Sequence, residues 1–137
     1  MKILYVAEAT AYGGRNGRVT SSDDRLDVEV APPKEVGGAD GDATNPEQLF
    51  AGGYAACFMN AASLVGQRMK ADTEGMTVTA KVGLGQVETG YGLEVELVVN
   101  LPKLDNETAQ ALVERTHYVC PYSNATRGNI EVTLTIA

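Results

Sequence analysis

Thr44-Asn45-Pro46-Glu47-Gln48-Leu49-Phe50-Ala51-Gly52-Gly53-Tyr54-Ala55-Ala56-Cys57-Phe58 opens a helix and places a cysteine on it. Thr44 or Asn45 can cap the first turn, and Pro46 suits that turn because its missing N–H would be unpaired there anyway. Glu47 complements the positive end of the helix dipole. The helix is predicted to run to about Met69. Leu49, Phe50, Gly53, Cys57, Ala61 and Leu64 follow one another at steps of one, three, four, four and three, the spacing of a buried stripe. Cys57 is therefore expected to face a core or an interface. Gly52 and Gly53 each cost about 1 kcal/mol against alanine inside a helix, so either the helix breaks there or another backbone packs very close.

The flanks of this helix read differently. Leu26, Val28 and Val30 alternate with charged residues, and so do Leu93, Val95, Leu97 and Val99. Ile130, Val132, Leu134 and Ile136 alternate with Glu131, Thr133 and Thr135. Met76 to Leu84 is a further alternating strand, expected to form a hairpin with the Leu93 strand through a turn at Gly90-Tyr91-Gly92. Ile3 to Glu8 and Arg18 to Ser21 are also candidate strands. Ala31 to Asp42, rich in Pro and Gly, reads as a loop. Asp105-Asn106-Glu107 starts a second helix that should end near Val119, because Pro121 cannot continue it. The order is strands, helix, hairpin, helix, strand, which predicts an α+β fold over a doubly wound parallel sheet. With 137 residues, one domain spanning 1–137 is expected.

Eleven basic and 18 acidic residues give a net charge of −7. Such a chain has no electrostatic footprint for a phosphate backbone or an anionic membrane surface. The apolar run at the N-terminus is too short for a secretory signal core, and no stretch approaches the ~20 apolar residues of a membrane span. A cytoplasmic protein is expected, with its two cysteines reduced at rest.

Ala109, Val113, Thr116 and Cys120 share a stripe on the second helix, so Cys57 and Cys120 both point inward and could meet. Two readings stay open on these residues alone: inert core cysteines, or a reactive pair. If Cys57 is reactive, a cation must lower its pKa. Cys120, at a helix C-terminus, is the poorer nucleophile because the dipole opposes a thiolate there. A zinc site is disfavoured, since His117 is the one histidine and no CxxC occurs. A serine hydrolase is disfavoured by the lack of a GxSxG elbow. His117 reads as a structural residue of the last helical turn, and Tyr122, Ser123 and Asn124 as shaping the turn after Cys120.

Three stretches carry a resemblance: Ala11-Tyr12-Gly13-Gly14-Arg15-Asn16-Gly17-Arg18, the helix-opening stretch from Thr44 to Phe58, and Val119-Cys120-Pro121-Tyr122-Ser123-Asn124-Ala125-Thr126-Arg127-Gly128-Asn129. Together they closely resemble the organic hydroperoxide resistance branch of the OsmC/Ohr family, over essentially the whole chain. The resemblance implies an OsmC-like fold, with β-sheets packed on two core helices in an intertwined homodimer whose active sites lie at the subunit interface. It also implies a bacterial, cytoplasmic, thiol-dependent peroxidase that prefers organic hydroperoxides, fatty-acid ones included. No bound cofactor is implied. Reduction by dihydrolipoamide or a lipoylated protein is, coupled to lipoamide dehydrogenase.

Matched by residue, Cys57 is the peroxidatic cysteine, Cys120 the resolving one, and Arg15 with Glu47 the polar pair at the thiolate. The guanidinium of Arg15 suits this part because it stays charged and offers several donors, and Glu47 is its natural partner. Cys57 lies ten residues after Glu47, about 15 Å along a straight helix. Either the helix breaks at Gly52-Gly53 or Glu47 serves the partner subunit; the second is preferred. The glycines around Arg15 predict a loop that moves with redox state. Two departures from the family pattern stand out: Gly52 where alanine is expected, and Phe58-Met59-Asn60-Ala61 where smaller residues are. Two alternatives remain: an OsmC-type peroxidase of broader peroxide specificity, and a non-catalytic redox sensor or lipid-binding protein.

Overall fold

The structure, a computed structural model, describes residues 1–13, 16–39 and 41–137. It divides into two compact units, Met1–Leu49 and Phe50–Ala137.

In the first unit, β1 (Ala9–Tyr12), β2 (Gly17–Ser21) and β3 (Asp27–Val30) form an antiparallel sheet in that order. Val19 of β2 stands opposite Ala11 and Val28, and Arg18 bonds across to Asp27 at 2.7 Å. The expected strand over residues 3–8 does not form. Pairing starts at Ala9, and Ile3, Leu4, Tyr5 and Val6 lie exposed, with no strand among the described residues paired to them. The Pro- and Gly-rich stretch is irregular apart from one 3₁₀ turn at Lys34–Val36. Val30 then bridges to Thr44, which leads the chain into the first long helix.

That helix, α1 (Pro46–Met69), starts where the sequence places it. Asn45 is the cap: its Oδ1 accepts the Gln48 N–H at 2.9 Å. The helix runs unbroken through Gly52 and Gly53, so the break that glycine propensity allows does not occur. By length and composition α1 could cross a membrane, and a core helix passes the same test. The expectation that no stretch approaches span length is corrected by this 24-residue helix.

In the second unit, β4 (Thr77–Val87) and β5 (Gly90–Asn100) form a long antiparallel hairpin. Val87 pairs with Gly90, so the turn is Glu88-Thr89, and Gly90 and Gly92 belong to β5 instead of the turn. Gly90 takes φ +130°, a conformation that favours glycine directly after so tight a turn. After β5 come α2 (Asn106–Val119), α3 (Pro121–Thr126) and β6 (Val132–Ile136). β6 pairs parallel to β5, Leu97 opposite Leu134, so the sheet is mixed in the order β4-β5-β6. A parallel neighbour needs a crossover, and α2 with α3 supplies it.

Val95, Leu97 and Val99 of β5 share a core with Tyr54, Phe58, Ala62 and Val65 of α1 and with Leu112 and Val113 of α2. The α2 stripe predicted at Ala109, Val113, Thr116 and Cys120 is buried throughout. The α1 stripe is rotated from its prediction: Tyr54, Phe58, Ala61, Ala62 and Val65 are buried, while Leu64 is 51% exposed. The two largest side chains, at 54 and 58, turn the helix, and Cys57 comes to the rim of the core instead of its centre.

Candidate functional site

Two local rules deliver Cys120 to the site. Asp105 caps α2, its carboxylate accepting the Thr108 N–H at 2.8 Å and the Thr108 hydroxyl at 2.9 Å. At the other end, Pro121 excludes the helical conformation for the residue before it. Cys120 accordingly takes φ −62° and ψ 129° and serves both as the last cap of α2 and the first of α3. The chain turns there without leaving the core, and the Cys120 side chain is fully buried. Tyr122, Ser123 and Asn124, expected to shape a turn, instead form the body of α3, with Pro121 at its start.

Cys57 stands half-buried on α1, and both cysteines are free thiols. Their sulfurs are 3.7 Å apart, Cys120 Sγ donating to Cys57 Sγ. Burial pushes the Cys57 thiol up from its ordinary pKa; the backbone N–H of Tyr122 pulls it down, and the neighbouring Cys120 sulfur raises it again. The balance is upward. Among the described residues no cation acts on Cys57.

α1 and α3 share an aromatic cluster. The rings of Phe50, Tyr54 and Tyr122 lie 5.7–6.4 Å apart, centroid to centroid. Gly53 makes this possible: a Cβ there would come within 3.1 Å of the Tyr122 hydroxyl. The close approach expected at the double glycine is therefore found at Gly53, where the neighbour is a ring and not a backbone; Gly52 faces open space.

Behind the thiols lies a buried polar chain that the sequence did not announce. Tyr54 Oη is 2.8 Å from Ser123 Oγ and 3.2 Å from Thr126 Oγ1, and Ser123 Oγ is 2.8 Å from His117 Nδ1. Burial and the charge of Arg127 hold the His117 pKa below its ordinary value. Arg127 also donates to the His117 carbonyl at 2.6 Å and stacks on Tyr118 at 5.4 Å, tying the end of α2 to α3. The usable signals were Tyr54 one turn before Cys57 and the Cys-Pro pair that starts α3.

Glu47 is half-buried in the first turn of α1, in the N-terminal unit. Arg15, with its expected loop movement, lies outside the described residues. Among the described residues no three His, Cys, Asp or Glu side chains gather to hold a metal ion.

Two reduced thiols in contact, one half-exposed and one buried, beside an aromatic cluster on an α+β scaffold, define a dithiol protein. Comparison with known proteins gives its kinship. Residues 39–135 match the family model described as OsmC-like protein. The chain is 54% identical over 137 residues to an organic hydroperoxide resistance protein of Xanthomonas axonopodis pv. citri, covering 99% of this chain and 96% of that one. It is 48% identical to the organic hydroperoxide resistance protein OhrA of Bacillus subtilis, covering 98% and 96%. The crystal structure of an organic hydroperoxide resistance protein from Elizabethkingia anophelis superposes with a TM-score of 0.96 at 58% identity, covering 100% of this chain and 99% of that one. The chain belongs to the OsmC/Ohr family, in its organic hydroperoxide resistance branch.

Proposed function

We propose that this protein is a cysteine-based peroxidase that reduces organic hydroperoxides to alcohols and so confers peroxide resistance, as the names of its relatives indicate for them. The observation that carries the reading is the 3.7 Å contact between a reachable Cys57 and a buried Cys120. The Cys57 thiolate attacks the terminal peroxide oxygen; the O–O bond breaks and the alkoxide leaves, taking a proton to become the alcohol. Cys57 is left as a sulfenic acid. Cys120 attacks that sulfur, its proton leaves with the hydroxyl as water, and a Cys57–Cys120 disulfide forms. A disulfide needs its sulfurs about 2.05 Å apart, so the two sulfurs close from 3.7 Å as the bond forms. A dihydrolipoyl dithiol then reduces the disulfide by thiol–disulfide exchange and is itself oxidised to the cyclic disulfide.

The raised pKa of Cys57 makes a cation necessary, and Arg15 is the residue proposed to supply it, with Glu47 as the charge partner of its guanidinium. Since α1 is continuous, ten residues of helix separate Glu47 from Cys57, about 15 Å of rise, which favours Glu47 serving the second subunit. A homodimer is further supported by the apolar surface left uncovered in one chain: Ile3 to Val6, Met59 and Leu64 on α1, and Val87 and Tyr91 at the hairpin tip. The proposed setting is the reducing cytoplasm, where the thiols are regenerated.

Turnover coupled to lipoamide, lipoamide dehydrogenase and NADH tests this function. A fatty-acid or tert-butyl hydroperoxide should be consumed catalytically and faster than hydrogen peroxide. Equal rates would favour the broader OsmC-type specificity. One stoichiometric oxidation without turnover would favour a redox sensor.

A further inference from the structure

We propose that the Tyr54–Ser123–His117 hydrogen-bond chain is a positioning clamp that sets the distance between Cys57 and Cys120 and so governs the second, disulfide-forming step. The inference rests on the peroxidase reading and adds to it residues that do not touch the reacting sulfurs.

Each member of the chain is three residues from one of the cysteines. Tyr54 precedes Cys57 on α1, His117 precedes Cys120 on α2, and Ser123 follows Cys120 on α3. Ser123 Oγ is the node, 2.8 Å from Tyr54 Oη and 2.8 Å from His117 Nδ1. One hydroxyl therefore links the helix of Cys57 to both helices that meet at Cys120. The four contacts can each hold one proton: His117 Nδ1–H to Ser123 Oγ, Ser123 O–H to Tyr54 Oη, Tyr54 O–H to Thr126 Oγ1, and Thr126 O–H to the Ser123 carbonyl. No buried side-chain polar atom among the described residues lacks a partner. Tyr54 and Ser123 have no exposed surface, so water does not compete for these bonds.

Pro121 makes such a clamp necessary. Cys120 is the extended joint between two helices, and its position is fixed only as well as those helices are held against α1. Bond formation between the sulfurs is steeply sensitive to misplacement: a shift of about 1 Å can cost about 100-fold in rate. The first step, attack on peroxide by Cys57, needs no such register and should be indifferent to the clamp.

The test compares wild type with Tyr54→Phe, which removes one hydroxyl and little else, and with Ser123→Ala, His117→Ala and His117→Asn. One equivalent of tert-butyl hydroperoxide is added with dimedone present, and the adduct and the disulfide are followed in time. The expected result for Tyr54→Phe and Ser123→Ala is sulfenic acid formation within about twofold of wild type, disulfide closure slower by about tenfold or more, and more dimedone adduct. His117→Asn, whose amide keeps a polar atom near the place of Nδ1, should close faster than His117→Ala. Closure within about twofold of wild type in both hydroxyl variants overturns the clamp. A parallel fall of both steps with melting temperature also overturns it, since that marks a structural role alone. Equilibration in glutathione buffers reads the same geometry without peroxide. If wild type forms the disulfide there but not with hydroperoxide, the peroxidase reading fails while the clamp is still measured.

Discussion

Cys57 stands partly exposed at the rim of the core, and burial opposes its thiolate there. If Arg15 supplies the missing cation, Arg15→Met should move the pH–rate profile for Cys57 oxidation upward by about 1–3 pH units and slow the reaction at neutral pH. An unchanged profile in stopped-flow would remove Arg15 from the site. His117 gives a second pH effect of known sign. Its folded-state pKa lies below its ordinary value, so between that pKa and about 6.5 the unfolded chain binds more protons. This contribution to stability is present above about pH 6.5 and is lost as pH falls through that window. Urea midpoints measured from about pH 7.5 down to about pH 5.5 should decline less steeply in His117→Asn than in wild type; equal slopes would contradict the assignment. The inward stripe of Cys120 was legible at this scale because four spaced residues repeat it. The exact face of Cys57 was not. Alanines and glycines around it carry little amphipathic signal, and the rotation of α1 is set by Tyr54 and Phe58 packing on other elements.

At the scale of elements, the punctuation did most of the work. Asn45 and Pro46 start α1, Asp105 starts α2, and Pro121 ends it, all read correctly from capping chemistry. The same proline starts α3, which went unread because a six-residue helix has no periodicity to detect. The strand expected over residues 3–8 failed for the converse reason. Its apolar run fits a strand, but pairing is a property of neighbours, which a local sequence reading does not report. Elements also divide stability from chemistry. Leu112→Ala leaves a cavity in the core shared by α1, α2 and the sheet, and should cost about 2–5 kcal/mol of unfolding free energy by urea titration. Asp105→Ala should lower the melting temperature yet leave Cys57 oxidation unchanged, since the cap is the full length of α2 away from Cys120. A slowed first step in that variant would contradict the view that caps only place the helix.

Several large apolar side chains lie exposed on this chain. Gly52, Ala56 and Met59 form an exposed stripe on α1, opposite its buried face, and the hairpin ends in an exposed Tyr91. A homodimer would cover such surface. Light scattering should give twice the chain mass for wild type, and Met59→Arg should shift the protein toward monomer while Cys57 and Cys120 still form a disulfide in glutathione buffer. A monomeric wild type would contradict the dimer. Fold class and the two thiols were readable from the sequence. Their approach was read as possible from two inward-facing stripes, while the 3.7 Å distance itself depends on how three helices pack against one another.

In the proposed cycle the two sulfurs act in sequence. Reduced protein treated with one equivalent of an alkyl hydroperoxide should lose two hydrogens by intact mass and yield one linked pair of peptides, Cys57 to Cys120. Cys120→Ser should stop at a trappable sulfenic acid on Cys57, and Cys57→Ser should consume no peroxide. Peroxide consumption by Cys57→Ser at the wild-type rate, or wild-type turnover with both thiols unlinked and unmodified, would contradict it.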